Sequence, residues 1–201
     1  MTSKIFLTGI ATVLATAMGA NATTIRPFAG ATMGLQGVYY NSVLDASELD
    51  SPKDFITFGL EAGARFGEYN KIYNYGFSVN YDNSSSEKIK QKFTDVTSAK
   101  INTNVFSATF DNYMRLSGDK MKRIDLVLGA GLGMMDYHAD SKDGGSDRTR
   151  WSSLVELKAG LDFELTHNIT LSAQTRLFVP MRDAYGIKAS YIAGGAVKYV
   201  F

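Results

Sequence analysis

The chain has 201 residues, 45% hydrophobic and 20% charged, which is enough apolar material for one domain with a core and too much for a disordered chain. Twenty-one basic and twenty acidic residues give a formal charge of +1, excluding nucleic-acid binding through a clustered positive surplus. With no cysteine, disulfide frameworks, thiolate metal sites and cysteine nucleophiles are excluded as well.

The first 22 residues read as an export signal. Lys4 supplies the positive start, Ile5 to Met18 the apolar stretch, and Ala20-Asn21-Ala22 the small-x-small cleavage pattern. A helical anchor fits less well, because the stretch is short for a span of roughly 20 residues and no stop-transfer charges follow. Cleavage after Ala22 leaves residues 23–201 as the mature domain. Removing Lys4 takes the basic count from 21 to 20, so the mature chain is neutral. Beyond residue 22 no apolar run approaches the roughly 18 residues of a spanning helix. The remaining choices are a soluble exported protein and a closed β-barrel, the non-helical structure that satisfies its own backbone in lipid.

Alternation of period two runs through the mature chain and predicts strands at Pro27–Leu35, Ile56–Phe66, Tyr73–Tyr81, Val105–Leu116, Ile124–Met135, Val155–Leu165, Leu171–Val179 and Tyr191–Phe201. The second is the clearest: Ile56, Phe58, Leu60, Ala62, Ala64 and Phe66 interleave with Thr57, Gly59, Glu61, Gly63 and Arg65. The fourth is the weakest, because Asn112 interrupts its apolar set. Each predicted strand has roughly the length that crosses a bilayer at a tilt. Three connections are tight: Gly67 to Asn70, Ser117 to Lys120, and Thr166 to Asn168. The other four span Asn41 to Lys53, Asp82 to Ala99, His138 to Arg150 and, more briefly, Pro180 to Gly186. In up-and-down order the turns and both termini share one end and the loops the other, as in barrels with periplasmic turns and extracellular loops.

Alternation alone leaves open a soluble, lipocalin-like barrel with its faces reversed. Three features favour an apolar exterior. Ten of seventeen mature glycines (nineteen less Gly9 and Gly19) fall on the polar face, where a narrow barrel needs room for long charged neighbours. Aromatics gather at strand ends: Tyr81, Trp151 and Tyr191 towards the loops, and Phe66, Tyr73, Phe163, Tyr199 and Phe201 towards the turns. These are positions where a ring with a polar tip suits a membrane interface. Finally the chain stops at Tyr199-Val200-Phe201, in register with Val197.

Glycine-rich inward faces such as Phe28-Ala29-Gly30-Ala31 and Leu128-Gly129-Ala130-Gly131-Leu132-Gly133, the signal, the eight strands and the final Phe201 resemble the small outer-membrane β-barrel family. This is the outer membrane protein A/X and opacity-protein group. The resemblance covers the whole mature chain, though its motifs are diffuse. It implies an all-β, eight-stranded antiparallel up-and-down transmembrane barrel in the outer membrane. Val197, Tyr199 and Phe201 would then be read by the barrel-assembly machinery. It also implies contact with outer-membrane lipid and lipopolysaccharide, a monomer, and loops that meet host or environmental molecules. The chain ends at its barrel, so the wall-anchoring role of outer membrane protein A is not expected here.

The expected interior charges are Arg26, Glu61, Arg65, Arg115, Asp125, Glu156, Lys158, Asp162, Glu164, Arg176 and Lys198, which must be paired or hydrated. Counting from the third turn places Arg176 opposite Lys158 and diagonal to Glu156. The second turn places Asp125 near Tyr113 and Arg115. Such charges read as a network that fills the barrel, or as the lining of a narrow channel.

No cofactor or metal is expected. Gly129-x-Gly131-x-Gly133 has the wrong spacing for a dinucleotide loop and no following helix. Asp140, Asp143 and Asp147 fail the calcium-loop spacing, since Lys142 and Gly144 stand where ligands belong. His138 and His167 fall at opposite ends. His138 with Ser141 and Asp136 or Asp140 is the lone place for a lipid A-modifying enzyme, and it matches no known motif. Glu87 to Lys92 is a charged stretch in the longest loop, and its lysines could touch lipopolysaccharide phosphates or a host surface.

Overall fold

A computed structural model describes residues 24–40, 55–68, 71–89, 99–117, 123–141, 148–181 and 187–201. The expected signal therefore lies outside the described residues, as does Asn41 to Lys53. Eight strands form: β1 (Ile25–Tyr40), β2 (Phe55–Phe66), β3 (Tyr73–Ile89), β4 (Ala99–Arg115), β5 (Ile124–Ser141), β6 (Arg148–Glu164), β7 (Ile169–Pro180) and β8 (Ile187–Val200). Each pairs antiparallel with its sequence neighbour, and β8 pairs back onto β1. Closure leaves no open edge in the sheet.

The registers fix the geometry. Following hydrogen-bonded partners from Phe28 through Gly63, Ser78, Thr109, Gly131, Glu156, Phe178 and Ser190 returns to β1 at Val38. That is ten residues above the start (38 − 28). A shear of this size over eight strands tilts them and leaves a lumen that side chains fill. Several lumen glycines serve the tight coiling of the wall rather than making room for side chains. A Cβ on Gly131 would run into the Ala108 carbonyl of β4, whereas one on Gly129 would meet the Asp111 carboxylate.

The apolar set of each strand faces outward. Phe58, Leu60, Phe110, Leu128, Leu132 and Val197 are exposed, whereas Glu61, Asp111, Glu156, Lys158 and Arg176 are buried inside. β4 runs unbroken through Asn112, which is exposed on the outer face. The tight turns are as expected where described. Gly67 takes φ +125°, a conformation that a side chain would strain. At the third turn, the Thr166 hydroxyl accepts from the Asn168 and Ile169 N–H groups (3.3 and 3.0 Å).

Strand lengths correct one expectation. Much of 82–99 and 138–150, read from sequence as loops, is strand: β3 continues to Ile89, β4 begins at Ala99, β5 continues to Ser141 and β6 begins at Arg148. The sequence there is polar on both faces, so no apolar alternation marked it. Backbone pairing carries the ladder on regardless, with Asn102 opposite both Ser85 and His138. β3 to β6 have 17, 17, 18 and 17 residues against 12 for β7 and 14 for β8. The barrel is therefore taller on one side.

Candidate functional site

The lumen is built in layers. At the turn end, Arg65 crosses from β2 and donates through Nη1 to Asp125 Oδ2 (2.7 Å) and through Nη2 to Asp162 Oδ2 (3.2 Å). Its guanidinium lies over the Tyr113 ring, 3.8 Å from the centroid. Arg123 Nε donates to both oxygens of Asp125 (2.8 and 2.7 Å), and Ser172 donates to Asp162 Oδ1 (2.6 Å). Lys198 Nζ bridges upward, 3.4 Å from Asp162 Oδ1 and 3.4 Å from Glu61 Oε2. A cleft of about 20 Å³, the size of one water, opens here among Arg26, Phe28, Arg65, Tyr113, Glu164 and Lys198.

The middle layer centres on Lys158. Its Nζ donates to Glu61 Oε1 (2.7 Å), Asp111 Oδ2 (3.3 Å) and Ser78 Oγ (3.3 Å). Ser78 in turn donates to Asp111 Oδ2 (2.8 Å). All three donor positions of the ammonium are thus used, and its one charge is shared between two carboxylates, of which Glu61 also meets Lys198. Above this, Arg176 Nη2 donates to Asp82 Oδ1, which also accepts from Thr32 (3.3 Å). Glu156 is fully buried, with the Ser107 hydroxyl beside it. Arg176 is its leading opposite charge.

At the loop end the lining changes character. Val38, Val105, Met135, Leu154, Phe178 and Ile192 form a buried apolar cluster inside the barrel. Gln36 and Ser84 hydrogen-bond to each other beside it.

Each charge expected inside belongs to the inward set of its strand. The registers also match the turn counts, with Lys158 facing Arg176 and Asp125 facing Arg115. Bonds across the lumen add partners that the turn counts did not supply: Arg176 takes Asp82 and Asp125 takes Arg65, while Arg123 meets Asp125 from two residues before it. Asp82, Asp111 and Arg123 were missed. Asp111 lies in the alternating inward set Val105, Ser107, Thr109, Asp111 and Tyr113, a signal the sequence already carried. The apolar cluster was missed because its members occupy the polar phase of their strands.

On the outside, Tyr73, Trp151, Val197, Tyr199 and Phe201 are exposed, and Phe66, Tyr81, Phe163 and Tyr191 are half-buried. Tyr199 and Phe201 meet edge to face at 5.1 Å. The Phe201 N–H donates to the Pro27 carbonyl (2.9 Å), so the last residue fastens the β8–β1 seam. His167 is exposed in the third turn. The side chains of His138 and Asp140, and residues 142–147, lie outside the described residues, as do 90–98.

An apolar outer wall, a closed backbone and an ion-paired, capped lumen define a membrane-spanning β-barrel. The chain belongs to the outer membrane protein beta-barrel domain family, whose model matches residues 8–201, and it is an outer-membrane protein. Among solved structures it is similar to Neisserial surface protein A (18% identity, 90% of this chain and 100% of that one, TM-score 0.52). It is also similar to the N-terminal β-barrel domain of Pseudomonas aeruginosa OprF (14%, 88% and 97%, 0.54). A third is Ail, the attachment invasion locus protein of Yersinia pestis, solved with the heparin analogue sucrose octasulfate (20%, 88% and 99%, 0.52). At these identities the likeness is one of fold. No curated protein matches the sequence.

Proposed function

We propose that this chain is a sealed outer-membrane barrel that acts through what it displays at the cell surface. Its loop-end segments would mediate adhesion or contact with host or environmental molecules. One observation carries the reading: among the described residues, cross-lumen ion pairs occupy the turn end and middle of the lumen and a buried apolar cluster lies above them. A rigid barrel with a filled lumen leaves its connecting segments as the place for recognition. In this reading residues 1–22 direct export, the termini face the periplasm, and Val197, Tyr199 and Phe201 present the assembly signal. The lysines of Glu87 to Lys92 suit an anionic surface polysaccharide, the chemistry that the heparin analogue on Ail exemplifies.

The test replaces residues 90–98 and 142–147 by scrambled sequences of equal length. Assembly is read from the mobility shift of unboiled against boiled protein on a denaturing gel. Adhesion is read on cells and on heparin-coated surfaces. Intact assembly with lost adhesion is expected, and unchanged adhesion overturns the reading. Conductance across a planar bilayer tests the channel alternative, for which the expected result is none. Lipid A analysis of a deletion strain tests the enzymatic alternative, with His138→Ala as the diagnostic variant.

A further inference from the structure

The charges of the lumen are sorted along its axis. At the turn end five cations (Arg26, Arg65, Arg115, Arg123 and Lys198) stand against three acids (Asp125, Asp162 and Glu164). In the layers above, as far as Arg176, the balance reverses: Lys158 and Arg176 stand against Glu61, Asp82, Asp111 and Glu156. Lys198 serves both halves, since its Nζ also lies 3.4 Å from Glu61 Oε2. The turn end stays positive even when Lys198 is assigned wholly to the layer above.

Hydrogen-bond donors are left over at the same end. Of the five N–H groups of Arg65, two meet an acceptor among the described residues, Asp125 Oδ2 and Asp162 Oδ2. Of the three on Lys198, one goes to Asp162 Oδ1, and counting the Glu61 contact still leaves one. Both side chains are largely shielded from bulk water, with 12% and 3% exposure. Both line the turn-end cleft of about 20 Å³, together with Arg26, Phe28 and Val200. Asp162 and Glu164 also stand on its wall, but they do not reverse its sign. Around Arg26 the repulsion of Arg65 and Arg123 ranks ahead of the attraction of Glu164 and Asp125.

We propose that the turn-end cleft is a binding site for a small carboxylate anion of the size of acetate. A carboxylate brings acceptor lone pairs and one negative charge to a place that has donors to spare and a positive surplus. Charge-assisted bonds of this kind are the strong ones. The cleft has room for about one water, so one oxygen enters between Arg65 and Lys198 and the other stays at the mouth, where Arg26 adds its charge. Phe28 and Val200 offer the alkyl end an apolar rest, and Phe28 already lies beneath Lys198, its centroid 5.3 Å from Nζ. A three-oxygen sulfonate head is too bulky for the same entry. The site is at the opposite end of the barrel from the loops and is independent of their adhesive reading.

The test follows the carboxyl line of carbon-13-labelled acetate by nuclear magnetic resonance. The full barrel is folded in uncharged dodecyl maltoside micelles, and the same micelles without protein serve as the blank. Saturable broadening by the parent barrel is expected. Lys198→Met should raise the half-saturating acetate concentration on the order of tenfold, as the loss of one charge-assisted hydrogen bond would. Lys71→Ala removes an exposed cation that is also at the turn end but outside the lumen, and it should leave the titration unchanged. Methanesulfonate at equal concentration should not displace acetate. Broadening no greater than the blank means a cleft that holds water alone and overturns the proposal. So does an unchanged titration in Lys198→Met, an equal weakening in Lys71→Ala, or displacement by methanesulfonate. The heat-dependent mobility shift verifies folding of each variant, and Arg26→Gln at the rim, with the same direction expected, replaces Lys198→Met if that one fails to fold.

Discussion

The two ends of the lumen solve the same packing problem with opposite chemistry. At the turn end and middle, Arg65, Arg123, Lys158 and Lys198 are matched against Glu61, Asp111, Asp125 and Asp162. At the loop end, six apolar side chains close on one another. The charged end is specific, because each group is satisfied by a particular partner and is costly without it. The apolar end is forgiving, because dispersion and burial ask for volume rather than identity. Glu156 lies at the boundary, where burial weighs on it more than Arg176 relieves it.

Breaking the charged end should have the largest effect. Lys158→Met leaves Glu61 and Asp111 without their shared ammonium, and a loss of about 3–5 kcal/mol is expected. Urea unfolding of the vesicle-embedded barrel, followed by Trp151 emission, measures it; an unchanged midpoint would mean that the middle layer contributes nothing. At the apolar end, Leu154→Ala should cost about 2–4 kcal/mol through its cavity. Leu154→Met should recover most of this loss, and no substitution of comparable volume is expected to rescue Lys158→Met. Planar-bilayer recordings of Leu154→Ala should stay silent, since Arg176 and Asp82 still close the layer beneath.

The boundary sharpens the contrast. Glu61→Gln should lose about 1.5–3 kcal/mol, the worth of hydrogen bonds to a charged group. Glu156→Gln should stay within about 0.5 kcal/mol of the parent or exceed it, because burial is the strongest influence on this carboxylate, ahead of Arg176 and Ser107. Equal losses in the two variants would erase the distinction between a carboxylate held by close ion pairs and one dominated by its burial. The smallest effect belongs outside the lumen. Lys71→Ala breaks the exposed pair with Glu68 (3.1 Å), and less than about 0.5 kcal/mol is expected in the same unfolding assay.

Strand number, order and facing were legible in the sequence, because lipid makes each wall residue declare its side: Ile56 to Phe66 and Val155 to Leu165 alternate with hardly a lapse. Strand length was not, since β3 to β6 rise into stretches such as Asn83-Ser84-Ser85-Ser86 whose two faces are both polar. Membership of the charged lumen was mostly legible by parity, and Asp111 could have been read the same way. The choice of partners was not. Arg65 meets Asp162, Lys158 meets Glu61 and Arg176 meets Asp82, pairs 97, 97 and 94 residues apart. Only the closed shear brings them together, and no local pattern encodes it.

Those separations also bear on how the protein forms. A hairpin such as β6–β7 can pair its backbone early, but none of these bridges exists until the sheet curls far enough for opposite walls to face each other. The last seam, where the Phe201 N–H reaches the Pro27 carbonyl, joins the two ends of the fold. A half-rolled sheet therefore carries its lumen charges exposed and unmatched, and little rewards it for lingering. Closure should be abrupt, with a transition state late in the rolling of the sheet, and slow because the contacts that reward it are the most distant in the chain.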